Sequence, residues 1–143
     1  MKHFRILLIA LVAASCSTTA GDFSPKDFIG VSCSSKDGGK TCFGYGERYE
    51  NGTEDACGRI PNGGPEFALK LTYEISGSTV CSTVVKTSDS RTMPVGDKFC
   101  SVYLQKNVDG MTYRFTDDDS TRIRQGYLAK RSDKWCQHLI DAL

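Results

Sequence analysis

The clearest pattern in the chain is a regular alternation of apolar and polar residues between positions 67 and 75. The apolar members share one face: Phe67, Leu69, Leu71, Tyr73 and Ile75. An apolar residue at every second position is typical of a strand that is buried on one face only. The segment 79–87 is rich in β-branched residues and follows a Ser-Gly-Ser turn signal, so the pattern predicts that it returns as the antiparallel partner.

A second hairpin is predicted further along the chain. The segments 99–106 and 111–116 flank an Asp109-Gly110 pair, which is a preferred hairpin turn. A further strand is expected over 121–128. By contrast, the chain before Glu66 is rich in glycine and cysteine, which indicates loops and short strands.

The last segment changes from a strand period to a helix period. Its apolar residues form one stripe on a helix: Trp135, Cys136, Leu139, Ile140 and Leu143. Ser132 or Asp133 can cap this helix, and Ser24-Pro25 suggests a short helix near the start. We therefore expect an α+β fold, in which a disulfide-stabilised antiparallel β-sheet of four to six strands carries a C-terminal helix packed on it.

The first 20 residues have the layout of an export signal. Lys2 and Arg5 precede the apolar run 6–14, which is too short to cross a bilayer and is followed by small residues. We predict a signal peptide over 1–20 and a single disulfide-rich secreted domain over 21–143. The alternative is a bacterial lipobox that ends at Cys16, with acylation of that cysteine.

Six cysteines remain in every version of the mature chain: Cys33, Cys42, Cys57, Cys81, Cys100 and Cys136. An even number behind an export signal predicts three disulfides in an oxidising, extracellular compartment. The sequence leaves the connectivity open. Because Cys136 lies in the apolar stripe, its disulfide is expected to tie the C-terminal helix to the sheet.

Charge and length exclude some classes of function. Removal of residues 1–20 leaves 16 basic and 17 acidic residues, a balance that argues against a nucleic-acid partner. No later segment is apolar enough to span a membrane. The mature chain has the length of one domain.

Histidine usage argues against common catalytic sites. His138 is the one histidine left after residue 20, and the helical wheel places it away from the apolar stripe. A catalytic triad or a histidine-based zinc site is therefore not expected. We predict no catalytic residue, no metal, no cofactor and no enzymatic activity. The alternative is a small polysaccharide hydrolase that uses carboxylates within 47–66.

Two groups of residues can form a partner surface, for an extracellular protein or a glycan. They are the aromatic residues Phe43, Tyr45 and Tyr49 and the basic residues Arg114, Arg122 and Arg124. Aromatic residues beside glycines suit stacking on sugars or a contact hot spot, although they also suit a minor core. The Asn51-Gly52-Thr53 triplet is an N-glycosylation pattern in a turn-prone stretch.

The arrangement as a whole, an export signal followed by one β-rich domain with six cysteines, resembles the small secreted cysteine-rich effector proteins of plant-associated fungi. The resemblance implies a non-enzymatic effector or toxin that binds a host or competitor macromolecule, and it assigns no individual residue. A bacterial lipoprotein or periplasmic inhibitor is the remaining alternative.

Overall fold

The protein is a closed antiparallel β-barrel of eight strands in the computed structural model, which describes residues 22–60, 62–116 and 123–143. Each strand pairs with its neighbours in sequence, and the last strand pairs with the first. The strands are β1 (Gly30–Ser35), β2 (Cys42–Arg48), β3 (Thr53–Arg59), β4 (Glu66–Ser76), β5 (Thr79–Thr87), β6 (Lys98–Lys106), β7 (Gly110–Phe115) and β8 (Arg124–Leu128).

The pairing of β1 with β8 closes the barrel and removes both sheet edges. Ser32 pairs with Leu128 and Ser34 with Gly126 in this seam. The expected α+β fold, an open sheet of four to six strands with a helix packed on it, is therefore wrong. The glycine- and cysteine-rich half supplies β1 to β3, and closure satisfies backbone groups that an open sheet would leave unpaired.

The strands that sequence periodicity indicated are present. The predicted segment 67–75 lies within β4, the segment 79–87 coincides with β5, and the second hairpin forms β6 and β7. The last predicted strand begins at Arg124, and residues 121 and 122 lie outside the described residues. The predicted signal peptide over 1–20 also lies outside them.

A 3-10 helix at Pro25–Phe28 covers one end of the barrel. Ser24 is its N-cap residue, and Asp27 Oδ2 accepts a hydrogen bond from the Ser24 backbone N–H at 2.6 Å, as in a capping box. The cap directs Phe28 onto the inward-facing residues Val80 and Tyr103, with which it forms a buried cluster. We call this the covered end of the barrel; the loops 36–41 and 88–97 lie at the opposite end.

The C-terminal segment lies against the outside of the barrel wall. Its α-helix, α1, is only five residues long (Gln137–Asp141) and follows a 3-10 turn at Arg131–Asp133. Ile140 packs there against Tyr45 and Ala68, with a disulfide from Cys136 to Cys57. The predicted helix is therefore much shorter than its apolar stripe suggested.

All six predicted cysteines form disulfides, so the prediction of three bridges is confirmed. Cys33 pairs with Cys42, Cys57 with Cys136, and Cys81 with Cys100. None of the described helices has the length and apolar character needed to cross a membrane.

Candidate functional site

The barrel encloses a cavity of about 270 Å³. Side chains alternate along each strand, so every second residue points inward. Aromatic rings from three strands, β4, β6 and β7, line much of the cavity: Phe67, Phe99, Tyr103, Tyr113 and Phe115. Several of these rings contact one another edge to face, as Phe99 and Phe115 do at 5.9 Å between centroids.

A polar cluster lies toward the covered end of this cavity. Arg48 Nε donates to Glu54 Oε2 at 3.0 Å, and its Nη1 donates to the Tyr103 hydroxyl at 2.8 Å. The Ser82 hydroxyl donates to the same Glu54 oxygen at 3.0 Å. The Arg48 and Glu54 side chains keep only 13% and 10% of their surface exposed. This is a nearly dry ion pair, held in place by neutral hydroxyl groups.

The charge on Arg48 is stabilised although the residue is enclosed. Burial disfavours the charged guanidinium, but the neighbouring Glu54 carboxylate outweighs this effect and raises the pKa of Arg48. The guanidinium also lies 5.8 Å from the ring centroid of Tyr73 and 5.9 Å from that of Tyr103. Burial raises the pKa of the Tyr103 hydroxyl, which therefore stays protonated.

Glycines on β2 make room for the cluster. Gly44 and Gly46 occupy inward positions of β2, and Arg48 follows them in the same phase. A Cβ at Gly46 would lie 3.1 Å from Glu54 Oε1, so the missing side chain leaves this carboxylate its space. Glycine here enlarges the cavity and makes room for a buried charge, whereas the glycine-rich sequence alone indicated loops and short strands.

The three predicted aromatic partner residues do not form one exposed platform. Tyr45 is buried under the C-terminal segment. Phe43 is partly buried and also lines a shallow outer groove beside Trp135. The Tyr49 hydroxyl donates to Asp55 Oδ2 at 3.1 Å.

The basic partner residues are also separated. Arg114 is exposed on β7, whereas Arg124 on β8 directs its guanidinium over the Phe115 ring at 4.7 Å. Because Arg124 pairs with Tyr113, the residue next to Arg114, the two arginines face opposite sides of the wall. Arg122 lies outside the described residues.

The predicted glycosylation residue, Asn51, is exposed in the turn between β2 and β3. Its Oδ1 accepts hydrogen bonds from the Thr53 backbone N–H at 3.1 Å and from the Thr53 hydroxyl at 2.6 Å. The side chain therefore stabilises the turn while it stays exposed.

The carboxylates that the hydrolase alternative invoked are divided between the two faces of the barrel wall. Glu54 points into the cavity, whereas Glu47 points outward and pairs with Arg131 and Lys134. Asp55 lies opposite Glu47 on the neighbouring strand, so these two carboxylates share the outer face. Glu66 is bound to Arg59 on the outside. Within 22–60, 62–116 and 123–143, no three His, Cys, Asp or Glu residues are grouped to hold a metal.

Sequence reasoning missed Arg48, Ser82 and Tyr103 as site residues. The signal available in the sequence was the alternation along β2, because Arg48 follows Gly44 and Gly46 as the next residue on the inward face. A charged residue at such an inward position indicates a buried polar contact.

Comparison of the chain with protein-family models, with curated proteins and with solved structures gave no match.

Proposed function

We propose that the protein is an exported binding protein that holds one small molecule inside its barrel. The observation that carries the proposal is the cavity of about 270 Å³, which is lined by aromatic rings and contains a buried ion pair. Eight-stranded up-and-down barrels, such as those of lipocalins and streptavidin, are wide enough to hold one small ligand. Because a fold alone does not define function, the argument rests on the cavity and its lining.

The size and lining of the cavity limit the ligand. Small-molecule sites usually measure about 300–1,000 Å³, so this cavity suits a ligand at the small end of that range. Phe99, Tyr113 and Phe115 present ring faces and edges, which favour a flat or aromatic molecule. The polar cluster at Arg48 and Glu54 would then orient one end of it.

The effector or toxin role expected from the sequence is part of this proposal. A protein of that kind would act on its host or competitor by withholding a small molecule. This replaces the expected macromolecular partner with a ligand for which the barrel provides an enclosed site. No catalytic step is part of the proposal.

Export is proposed through the signal over residues 1–20. Three disulfides support an oxidising, extracellular location. Intact mass of the protein from its own host tests the signal. We expect a chain that starts near Gly21 and gains two hydrogens per disulfide on reduction. A mass that begins at an acylated Cys16 would instead identify an envelope lipoprotein.

Blocking the cavity tests the binding function. Gly126 lines the cavity, and a Cβ there would meet Tyr113 Cε1 at 3.6 Å, an ordinary contact. Gly126→Ala should therefore fit, whereas the ring of Gly126→Phe must extend into the cavity. We expect calorimetry to show that the wild type and Gly126→Ala bind 2-naphthol and that Gly126→Phe does not.

Equal melting temperatures and circular dichroism spectra of the two variants would show that the phenylalanine blocks the site without unfolding the barrel. If neither the wild type nor Gly126→Ala binds 2-naphthol or a related aromatic compound, the cavity is not a binding site of this kind. Undiminished binding by folded Gly126→Phe would place the ligand outside the barrel.

A further inference from the structure

We infer that the cavity selects uncharged ligands with a hydrogen-bond donor and rejects carboxylates. This inference rests on the proposed function, since it concerns the ligand of the same cavity. It follows from which polar atoms of Glu54 and Arg48 are bonded within the protein and which one faces the cavity.

One carboxylate oxygen of Glu54 can accept a hydrogen bond from a ligand. Its Oε2 accepts from both Arg48 and Ser82. Its Oε1 accepts no hydrogen bond from any residue in the described part of the chain, and it is not sealed from the cavity that the side chain lines. Gly46 lies beside this oxygen, and because a Cβ there would be only 3.1 Å from it, any larger residue would crowd the carboxylate. A ligand N–H or O–H can therefore donate to an ionised acceptor, which is one of the stronger kinds of hydrogen bond.

The Arg48 guanidinium cannot serve as a free anion receptor. Its charge is balanced at 3.0 Å by Glu54, and its Nη1 is bound to Tyr103. A ligand carboxylate placed beside this pair would lie close to the Glu54 carboxylate as well as to the guanidinium. Like charges in a site with little water repel strongly, so an anionic ligand beside Arg48 loses its hydration without a net gain. The second inward-facing guanidinium, that of Arg124 over the Phe115 ring, is also engaged in interactions of its own.

Neighbouring hydroxyl groups add uncharged contacts. Ser32, Ser34 and Ser101 line the cavity, and within the described residues their hydroxyls have no hydrogen-bond partner. A hydroxyl group can rotate to donate or accept. These serines therefore suit a neutral polar group such as a phenol, an indole or an amide.

Three naphthalenes of similar size test the inference at neutral pH. They are 2-naphthol, which has a donor; 2-methoxynaphthalene, which has none; and 2-naphthoate, which is an anion. A hydrogen bond to a charged group is worth about tenfold or more in affinity. We expect 2-naphthol to bind at least about tenfold more tightly than 2-methoxynaphthalene, and 2-naphthoate to bind most weakly.

The outcomes separate the two proposals. If none of the three compounds binds, the proposed function itself fails. If they bind but the methyl ether equals the naphthol, or the naphthoate binds most tightly, small-molecule binding stands and the selectivity inference is overturned.

A charge-removing variant adds an independent readout. Glu54→Gln keeps an acceptor oxygen but leaves Arg48 without its counter-charge, so the variant should gain affinity for 2-naphthoate and lose its preference for 2-naphthol. Glu74→Gln is the matched control, because the Glu74 side chain is 86% exposed and neither it nor its partner Lys98 lines the cavity. An unchanged ranking in a folded Glu54→Gln protein would contradict the inference. If that variant does not fold, the ranking of the three compounds on the wild type decides alone.

Discussion

The carboxylate of Glu47 on β2 binds the ammonium group of Lys134, from near the C-terminus, at 3.0 Å on the outside of the barrel. The Lys134 side chain is completely buried, and that of Glu47 is 5% exposed. Arg131 binds the second oxygen of the same carboxylate from a mostly exposed position. Together with the Cys57–Cys136 disulfide, these contacts fasten the C-terminal segment to the wall.

Removal of the Glu47 charge should destabilise the protein more than removal of the Lys134 charge. Glu47→Gln leaves a buried ammonium without a counter-charge, which costs about 3–5 kcal/mol. Lys134→Met should cost less, because Glu47 keeps Arg131 as a partner. Urea unfolding measures both costs, and the fluorescence of Trp135, the chain's single tryptophan, reports on the C-terminal segment itself.

The double variant Glu47→Gln/Lys134→Met is the control for this prediction. It contains no uncompensated buried charge, since Arg131 is mostly exposed, so it should recover part of the stability that Glu47→Gln loses. Strict additivity of the two single costs would show that the pair is not coupled.

Glu47 should also make the protein sensitive to acid. Burial acts to raise the pKa of this carboxyl, but hydrogen bonds from Arg131 and Lys134 outweigh it and leave the pKa below the ordinary value of 4.5. A lowered pKa in the folded state contributes stability that is complete above about pH 4.5 and is lost as the pH falls through the folded-state value.

We therefore expect the difference in unfolding free energy between the wild type and Glu47→Gln to be constant above pH 5 or so and to shrink below it. Urea unfolding at a series of pH values measures this difference. Glu74→Gln is the control, since the Glu74 side chain is 86% exposed. A difference that stays constant in acid would mean that protonation of Glu47 does not cause the loss of stability.

Two paired glycines test how closely β2 and β3 approach each other. Gly44 and Gly58 lie opposite each other in these strands. A Cβ at Gly58 would lie 2.5 Å from the Phe43 carbonyl oxygen, whereas one at Gly44 would meet nothing nearer than 3.5 Å. Gly58→Ala should thus destabilise the barrel by about 1–3 kcal/mol, while Gly44→Ala should have little effect. Equal melting temperatures would contradict the packing of this strand pair.

The predictability of each half of the barrel depends on what its inward positions contain. In β4 those positions are apolar, from Phe67 to Ile75, so the alternation is visible in the sequence. In β2 they are Gly44, Gly46 and Arg48, which give no apolar period. This half of the chain therefore predicts only loops and short strands, and without the full lengths of β1 to β3 the closure of the sheet cannot be predicted.

The polar site was hidden for the same reason, although one signal was present. Arg48 pairs directly with Glu54 across the hairpin of β2 and β3. The Asn51-Gly52 dipeptide, in the turn-prone stretch between them, is a strong hairpin signal. Had the hairpin been recognised, the two charges would have been placed side by side. Closure by β1 and β8 is different, because it joins residues almost a hundred positions apart and leaves no local pattern.

The three disulfides should differ in what they contribute to stability. The Cys57–Cys136 bridge spans 79 positions, and the Cys33–Cys42 bridge spans 9. In the chain-entropy model, loops of these lengths correspond to about 4.5 and about 2.6 kcal/mol of stabilisation. Cys57→Ala/Cys136→Ala should therefore lower the unfolding free energy by more than Cys33→Ala/Cys42→Ala does.

Urea unfolding of the two double variants, without reductant, measures the order. The Cys57 variant should also shift the Trp135 emission at lower urea than the circular dichroism signal of the barrel, because the C-terminal segment then has no covalent link to the wall and is held by the Glu47 ion pairs, by hydrogen bonds such as that from Trp135 to the Cys42 carbonyl, and by packing. Coincident transitions would show that the segment and the barrel unfold as one unit. An equal or larger loss in the Cys33 variant would contradict the order that loop length predicts.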